Sequence, residues 1–242
     1  MKYFLLSIIV LCTFIACSKK TDDYKVTVTS DLFPMAVGKV FVYRLDSTSL
    51  NLGVFSTAYY LEKDSITGTF IDNQGRIGYI FFRYLTDTSL SKPFQYADTH
   101  YAVADDKRVE LIDNYNRRFI PLANPVGLNT TWLGNSYLDY TQLSITANTN
   151  YDGWNYQYTQ LDSPFTSLKV SYPHCYTVLQ KNDSSGVFNP ATINSRTYSV
   201  EVYSKGIGLV YKEFVDYFYQ ITPTPGYEDG SYSIKMNLIS YK

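Results

Sequence analysis

Apolar and polar residues alternate along much of this chain with a period of two. In Tyr232–Ser240, Ile234, Met236 and Leu238 share one face and Ser233, Lys235 and Asn237 the other. Successive strand side chains point to opposite faces, so this is the pattern of a strand buried on one side. Within 137–147, Leu143, Ile145 and Ala147 oppose Ser144 and Thr146 in the same way. Runs at 39–46, 56–67, 77–84, 101–103, 109–112, 118–122, 175–180, 196–203 and 209–219 bring the expectation to about ten strands. Turn chemistry separates them. Asp72-Asn73-Gln74-Gly75 lies between apolar flanks, and Ala104-Asp105-Asp106-Lys107 between Tyr101–Val103 and Val109–Ile112. Pro121 points to an edge or a strand end, and Gly206-Ile207-Gly208 to a bulge or bend. The stretch 149–173 is the least regular, a long functional loop or a hairpin excursion. Short connections without helices imply a mainly antiparallel sheet. A sheet of this size must curl, close or fold over itself. The expected fold is therefore all-β: an antiparallel curved sheet, half-barrel or barrel-like, with a sandwich as the alternative.

The N-terminus has a different pattern. After Lys2, Tyr3–Ile15 is apolar apart from Ser7 and Thr13. That is shorter than the roughly 20 residues of a membrane-spanning helix, and it fits the core of a signal peptide, with a buried helix as the alternative. Phe14-Ile15-Ala16-Cys17 resembles the lipobox of bacterial lipoproteins, with Phe14 where Leu is usual. The resemblance implies cleavage before Cys17 and diacylation of its sulfur. Two acyl chains, at about 0.8 kcal/mol per buried CH₂, hold a protein stably on a membrane where one would not. Ser18–Asp23 is polar and reads as a flexible tether. Its lysines and paired acids resemble the surface-export signal of Bacteroidetes lipoproteins, against an ordinary hydrophilic linker. Asp46-Ser47-Thr48 and Asp64-Ser65-Ile66 resemble the O-glycosylation triplet of that phylum. The expected organisation is a signal peptide at 1–16 with a signal helix, a tether at 17–31 and a single β domain at 32–242.

Charge narrows the function classes. The net charge is −1 over 242 residues, and loss of 1–16, which carries Lys2 and no acid, takes it to −2. There is no basic footprint for nucleic acid and no polybasic patch for anionic lipid. Of the three cysteines only Cys17 and Cys175 remain after cleavage, so with Cys17 acylated no internal disulfide is available. The 25 tyrosines and 14 phenylalanines suit half-buried pleated surfaces.

Candidate chemistry is sparse. His174 and Cys175 are neighbours, but adjacent strand residues face opposite ways, so the histidine is badly placed to activate the thiol. With His100 the only other histidine, no zinc pattern forms. The acid pairs Asp22-Asp23, Asp105-Asp106 and Glu228-Asp229 fall in turn or tether sequence, where carboxylates are solvated. No nucleophile elbow or phosphate loop is present, and no cofactor or metal is expected. Trp132, Tyr151, Trp154, Tyr156 and Tyr158 are candidate ligand-binding aromatics, because sugar faces stack on exposed rings; burial in the core is the commoner fate.

Phe33-Pro34-Met35-Ala36-Val37-Gly38 with Tyr43–Ser47, Thr131-Trp132-Leu133-Gly134-Asn135, and Tyr203–Glu213 together resemble uncharacterised cell-envelope lipoproteins of Bacteroidetes. The curved sheet is expected to be LolA-like or lipocalin-like, and the resemblance implies an outer membrane lipid anchor, periplasmic or surface-exposed. It transfers no catalytic residue. The expected function is a non-enzymatic β domain binding a ligand or partner, lipid or glycan. A surface glycan-binding module and a hydrolase with an unrecognised site are the alternatives.

Overall fold

The computed structural model describes residues 26–138 and 151–242. The signal helix, Cys17, the tether residues up to position 25 and most of the 137–147 strand lie outside the described residues. Thirteen strands form one antiparallel sheet: β1 (Val40–Asn51), β2 (Val54–Ile71), β3 (Ile77–Asp87), β4 (Gln95–Ala104), β5 (Arg108–Ile112), β6 (Arg118–Ala123), β7 (Thr131–Leu133), β8 (Asn155–Ser167), β9 (Val170–Ser184), β10 (Asn194–Ser204), β11 (Gly208–Gln220), β12 (Gly226–Tyr227) and β13 (Tyr232–Tyr241). A one-turn helix α1 (Thr29–Leu32) precedes them.

Neighbours in space are almost everywhere neighbours in sequence. From β6 the order runs back to β1, crosses to β13, and continues through β11, β10, β9 and β8 to β7; β12 pairs only with β11. The first and last long strands join, Phe41 opposite Tyr241 and Ser49 opposite Tyr232. The remaining two edges, β6 and β7, then meet. Ile120 N–H donates to the Gly134 carbonyl at 2.7 Å, and the Trp132 indole donates to the Ile120 carbonyl at 2.7 Å. Tyr158 of β8 donates to the Ala123 carbonyl at 2.9 Å. β7 is three residues long, so side chains supply most of this seam. The result is a nearly closed barrel, in which 95–100 of β4 and 159–167 of β8 pair on one side only among the described residues.

The barrel-like antiparallel fold is as expected. Among the described residues the strand number is 13 and not about ten. The difference lies in β7, β8 and β12. β8 fills most of the stretch read as irregular, as one arm of a hairpin with β9. Its pairing is broken by three register shifts, Asp162 adopts φ 47° and Pro164 lacks a donor, so its alternation is lost.

Apolar residues point inward. Phe41 and Tyr43 of β1, Ile66 of β2, Phe81 of β3 and Met236 and Leu238 of β13 form one buried cluster; Trp154, Tyr156, Tyr158, Val178, Tyr203 and Phe214 form a second. Outward mid-strand positions carry charge: Arg44 pairs with Asp46, and Lys235 with Glu213. That is the reverse of an outer-membrane barrel, whose outer face is apolar and whose lumen is polar. No helix among the described residues is long and apolar enough to cross a membrane.

The N-terminal segment plugs one end. Asp31 O accepts from Gly206 N–H in the β10–β11 turn at 2.7 Å, and Thr29 N–H donates to Asn124 Oδ1 at 3.1 Å. Leu32 is fully buried, and Phe33 lies against both Phe81 and Tyr203 with ring centroids 6.3 Å away. Phe33 thereby joins the two core clusters.

Candidate functional site

The plug does not fill the barrel. A cavity of about 360 Å³ remains above Phe33, Pro34 and Met35 and reaches Asp113, Asn114 and Arg117 of the β5–β6 loop. That volume lies in the range of small-molecule sites, about 300–1,000 Å³. Its apolar wall comes from Phe41, Ile66, Phe81, Trp154, Phe214 and Met236.

A belt of charge crosses this apolar interior. On β2, Glu62, Asp64 and Ile66 are buried while Leu61, Lys63 and Ser65 between them are less so. The register sets Asp64 opposite Arg83 of β3, and Arg83 opposite Asp98 of β4. Arg83 is the hub. Its Nε–H donates to Asp64 Oδ1 at 3.1 Å and its Nη2 to Asp64 Oδ2 at 3.3 Å. Arg83 Nε also stands 3.0 Å from Glu62 Oε1, but its single proton is directed at Asp64, so Glu62 Oε1 is buried without a hydrogen bond. Arg83 Nη1 is 3.8 Å from Asp98 Oδ2. His100 stacks on Phe81 with centroids 4.9 Å apart, its ring nitrogens 3.8 Å from Asp64 and from Asp98.

The opposite wall carries a second ion pair. Lys212 Nζ is 2.9 Å from Glu201 Oε1, and Tyr203 Oη donates to Glu201 Oε2 at 2.5 Å. Ser199 Oγ donates to Gln180 Oε1 at 2.6 Å. Tyr43 bridges the two walls, donating to the Leu209 carbonyl at 3.2 Å.

The environment shifts these groups in distinct ways. Burial, reinforced by the charge of Asp64, pushes the Glu62 carboxyl up to about 7. Burial opposes the Arg83 charge, but Asp64 and Glu62 outweigh it and hold the guanidinium firmly protonated. Burial, with Asp64 and Glu62 beside it, raises the Tyr43 phenol well above its ordinary value, so it stays a donor. Among the described residues no cluster of His, Cys, Asp or Glu could hold a metal ion.

The candidate aromatics divide. Trp154, Tyr156 and Tyr158 are buried, at 2%, 3% and 0% exposure, so they form no external platform for a sugar. Tyr151, Trp154 and Tyr156 do line the cavity. Trp132 lies tilted against Tyr158 with ring centroids 4.8 Å apart and belongs to the seam. An aromatic cluster that reaches the surface lies elsewhere, Phe55, Phe188, Tyr217, Tyr219 and Tyr227, with its rings mostly edge-on to one another. Cys175 is buried at 2%, and its thiol is pushed up by burial. His174 is turned outward to Asp162 at 2.7 Å, as the strand geometry required.

The six charged belt residues, Glu62, Asp64, Arg83, Asp98, Glu201 and Lys212, were not among the candidate site residues of the sequence. Asp64 entered only as part of a glycosylation triplet. The available signal was period-two spacing of Glu62 and Asp64 in register with Ile66. Acids adjacent in sequence were the wrong place to look, because side chains sharing a strand face are two apart.

No protein-family model matches the chain, and no curated protein matches it. Among solved structures, an exported protein of Bacteroides fragilis with a YmcC-like fold is similar at TM-score 0.45 and 10% identity, over 87% of this chain and 98% of that one. A DUF1329 family protein from Desulfovibrio piger gives TM-score 0.20 at 10% identity, over 86% of each chain. An outer membrane lipoprotein-sorting protein domain from Vibrio parahaemolyticus gives 0.20 at 9%, over 85% of each. At these values the residues of the interior must carry the functional argument alone.

Proposed function

We propose that the protein is a lipid-anchored cell-envelope protein whose barrel binds a small, mostly apolar ligand without transforming it. The carrying observation is the cavity of about 360 Å³ left inside an otherwise packed barrel. Interiors normally pack to crystal-like density, so retained space with an aromatic wall supports a ligand role. The lipobox at Cys17 and the tether behind it support the envelope location.

Titration with the uncharged fluorophore Nile red tests the reading. Saturable one-to-one binding with a blue-shifted emission is expected. Ile234→Trp, which fills the cavity from β13, should weaken it at least tenfold while the thermal transition stays cooperative. Absence of saturable binding, or equal binding by a folded Ile234→Trp protein, would overturn it.

A hydrolase is the second reading, and one observation favours it: Glu62, Asp64 and Asp98 converge on Arg83 inside the barrel, with Glu62 poised near neutrality. Turnover of a chromogenic ester or glycoside, abolished by Glu62→Gln, would establish it; a full survey without turnover would remove it.

A further inference from the structure

We infer that the cavity selects a ligand with an apolar body and a protonated amine head, held against the carboxylates of β2 and β4. This deepens the ligand-binding reading and rests on it. Four carboxyl groups form the belt, Glu62, Asp64, Asp98 and Glu201, and only Arg83 and Lys212 carry fixed positive charge among them. The cations are already engaged. Arg83 is committed to Asp64, and Lys212 is 2.9 Å from Glu201. The acids are not equally served. Asp98 faces the cavity and is partly exposed; Arg83 Nη1 and a His100 ring nitrogen each stand 3.8 Å from it, and His100 together with the charge of Arg83 holds its carboxyl below the ordinary value. Glu62 Oε1 is buried and accepts no hydrogen bond.

Glu62 is not part of the cavity lining, and His100 Nδ1, which is, is also buried without a hydrogen bond, so the charge left to meet at the cavity is that of Asp98. Buried polar groups are nearly always satisfied, and a buried charge calls for an opposite one. A ligand carboxylate or phosphate would meet Asp64, Asp98 and Glu201, while the cations of the lining, Arg83, Lys212 and Arg117, are already paired with Asp64, Glu201 and Asp113. An ammonium supplies up to three donors and one positive charge beside Asp98, whose neighbours stand at 3.8 Å. The wall of Phe81, Phe41 and Ile66 takes the apolar remainder of such a molecule.

The test compares three amphiphiles of one chain length, dodecylamine, dodecanol and dodecanoate, as competitors of Nile red on the full chain at pH 8. The expected order is amine first, with an affinity at least tenfold above the alcohol and further above the carboxylate. Asp98→Asn of β4 and, separately, Asp64→Asn of β2 should each shrink the ratio of amine to carboxylate affinity severalfold. The ratio is read within one protein preparation, so partial misfolding of a variant cancels. Equal competition by dodecanoate, or an unchanged ratio in both variants, would overturn the inference while Nile red binding keeps the cavity reading intact. Should Nile red itself fail to bind, calorimetric titration with dodecylamine decides: no heat of binding overturns both.

Discussion

The indole N–H of Trp132 donates to the carbonyl of Ile120 at 2.7 Å, bridging the only pair of neighbouring strands in the barrel that share no ladder among the described residues. One backbone hydrogen bond, from Ile120 to Gly134, accompanies it. Trp132→Phe keeps an aromatic ring against Tyr158 but leaves the Ile120 carbonyl without this donor. The expected loss is about 1–3 kcal/mol. Hydrogen exchange should locate it: amides of β6 and β7 speed up, while those of β1 and β13 keep their protection. Uniform acceleration would place the closure elsewhere.

Gly134 tests the same seam by steric means. A Cβ at this position would sit 2.3 Å from the Tyr156 ring. That ring cannot swing away freely, because Tyr156 is buried and its hydroxyl donates to Asn135 at 2.7 Å. Gly134→Ala should destabilise the protein by about 1–3 kcal/mol, the usual range for overpacking. Chemical denaturation reads it directly, and the double variant with Tyr156→Leu should recover part of the loss.

Outside the barrel wall, Glu110 is met by three guanidiniums: Arg76 at 2.8 Å, Arg108 at 2.7 Å and Arg118 at 2.7 Å. Arg76 also holds Asp72 and Asp105, so this group ties the β2–β3 and β4–β5 turns to β5 and β6. Burial pulls the Glu110 carboxyl upward, but hydrogen bonds from Arg76 and Arg108 outweigh it and leave the group below its ordinary 4.5. A carboxyl lowered on folding contributes stability that is present above the unfolded-state value and lost as pH falls through the folded one. Glu110→Gln should therefore lose roughly 3 kcal/mol at pH 7, the low end for breaking a buried pair because the arginines are partly solvated. Below pH 4 the gap to the parent should narrow. A gap that stays constant with pH would mean that the charge of Glu110 is irrelevant.

Glu62 has the opposite sign. Its carboxyl rises on folding from 4.5 to about 7, so between those values the folded protein holds a proton that the unfolded chain releases. Stability should fall as pH climbs through that window. Glu62→Gln, which imitates the protonated form, should remove the slope and make the protein more stable than the parent at pH 8, by up to roughly 3 kcal/mol. Thermal melts at pH 5, 6.5 and 8 decide this. A parent whose stability rises over that range would contradict the buried placement of Glu62.

The sequence carried the strands but not their closure. Ile234, Met236 and Leu238 show their inward face through alternation alone, and the Asp72–Gly75 and Ala104–Lys107 turns are where local chemistry puts them. β8 was hidden because φ 47° at Asp162 and repeated register shifts destroy the period that would reveal a strand. The belt was hidden for a different reason. A charged residue on an alternating strand reads as solvent-facing, so Glu62, Asp64 and Asp98 look like surface positions until the barrel closes around them. That closure depends on pairs far apart in sequence, such as Phe41 with Tyr241, which no local pattern encodes. Trp154 and Tyr156 were legible as large aromatics; only the packed structure shows them lining a cavity and not an outer face.

The central claim is that the barrel interior is a binding site with an occupant. Native mass spectrometry of the full protein, extracted from its own envelope and released from detergent in the gas phase, tests this most directly. The account expects one retained non-covalent species of a few hundred daltons, lost on collisional activation and absent from the Ile234→Trp protein prepared alongside. A bare polypeptide mass with its covalent modifications alone, or an adduct equally abundant on the filled variant, would contradict it.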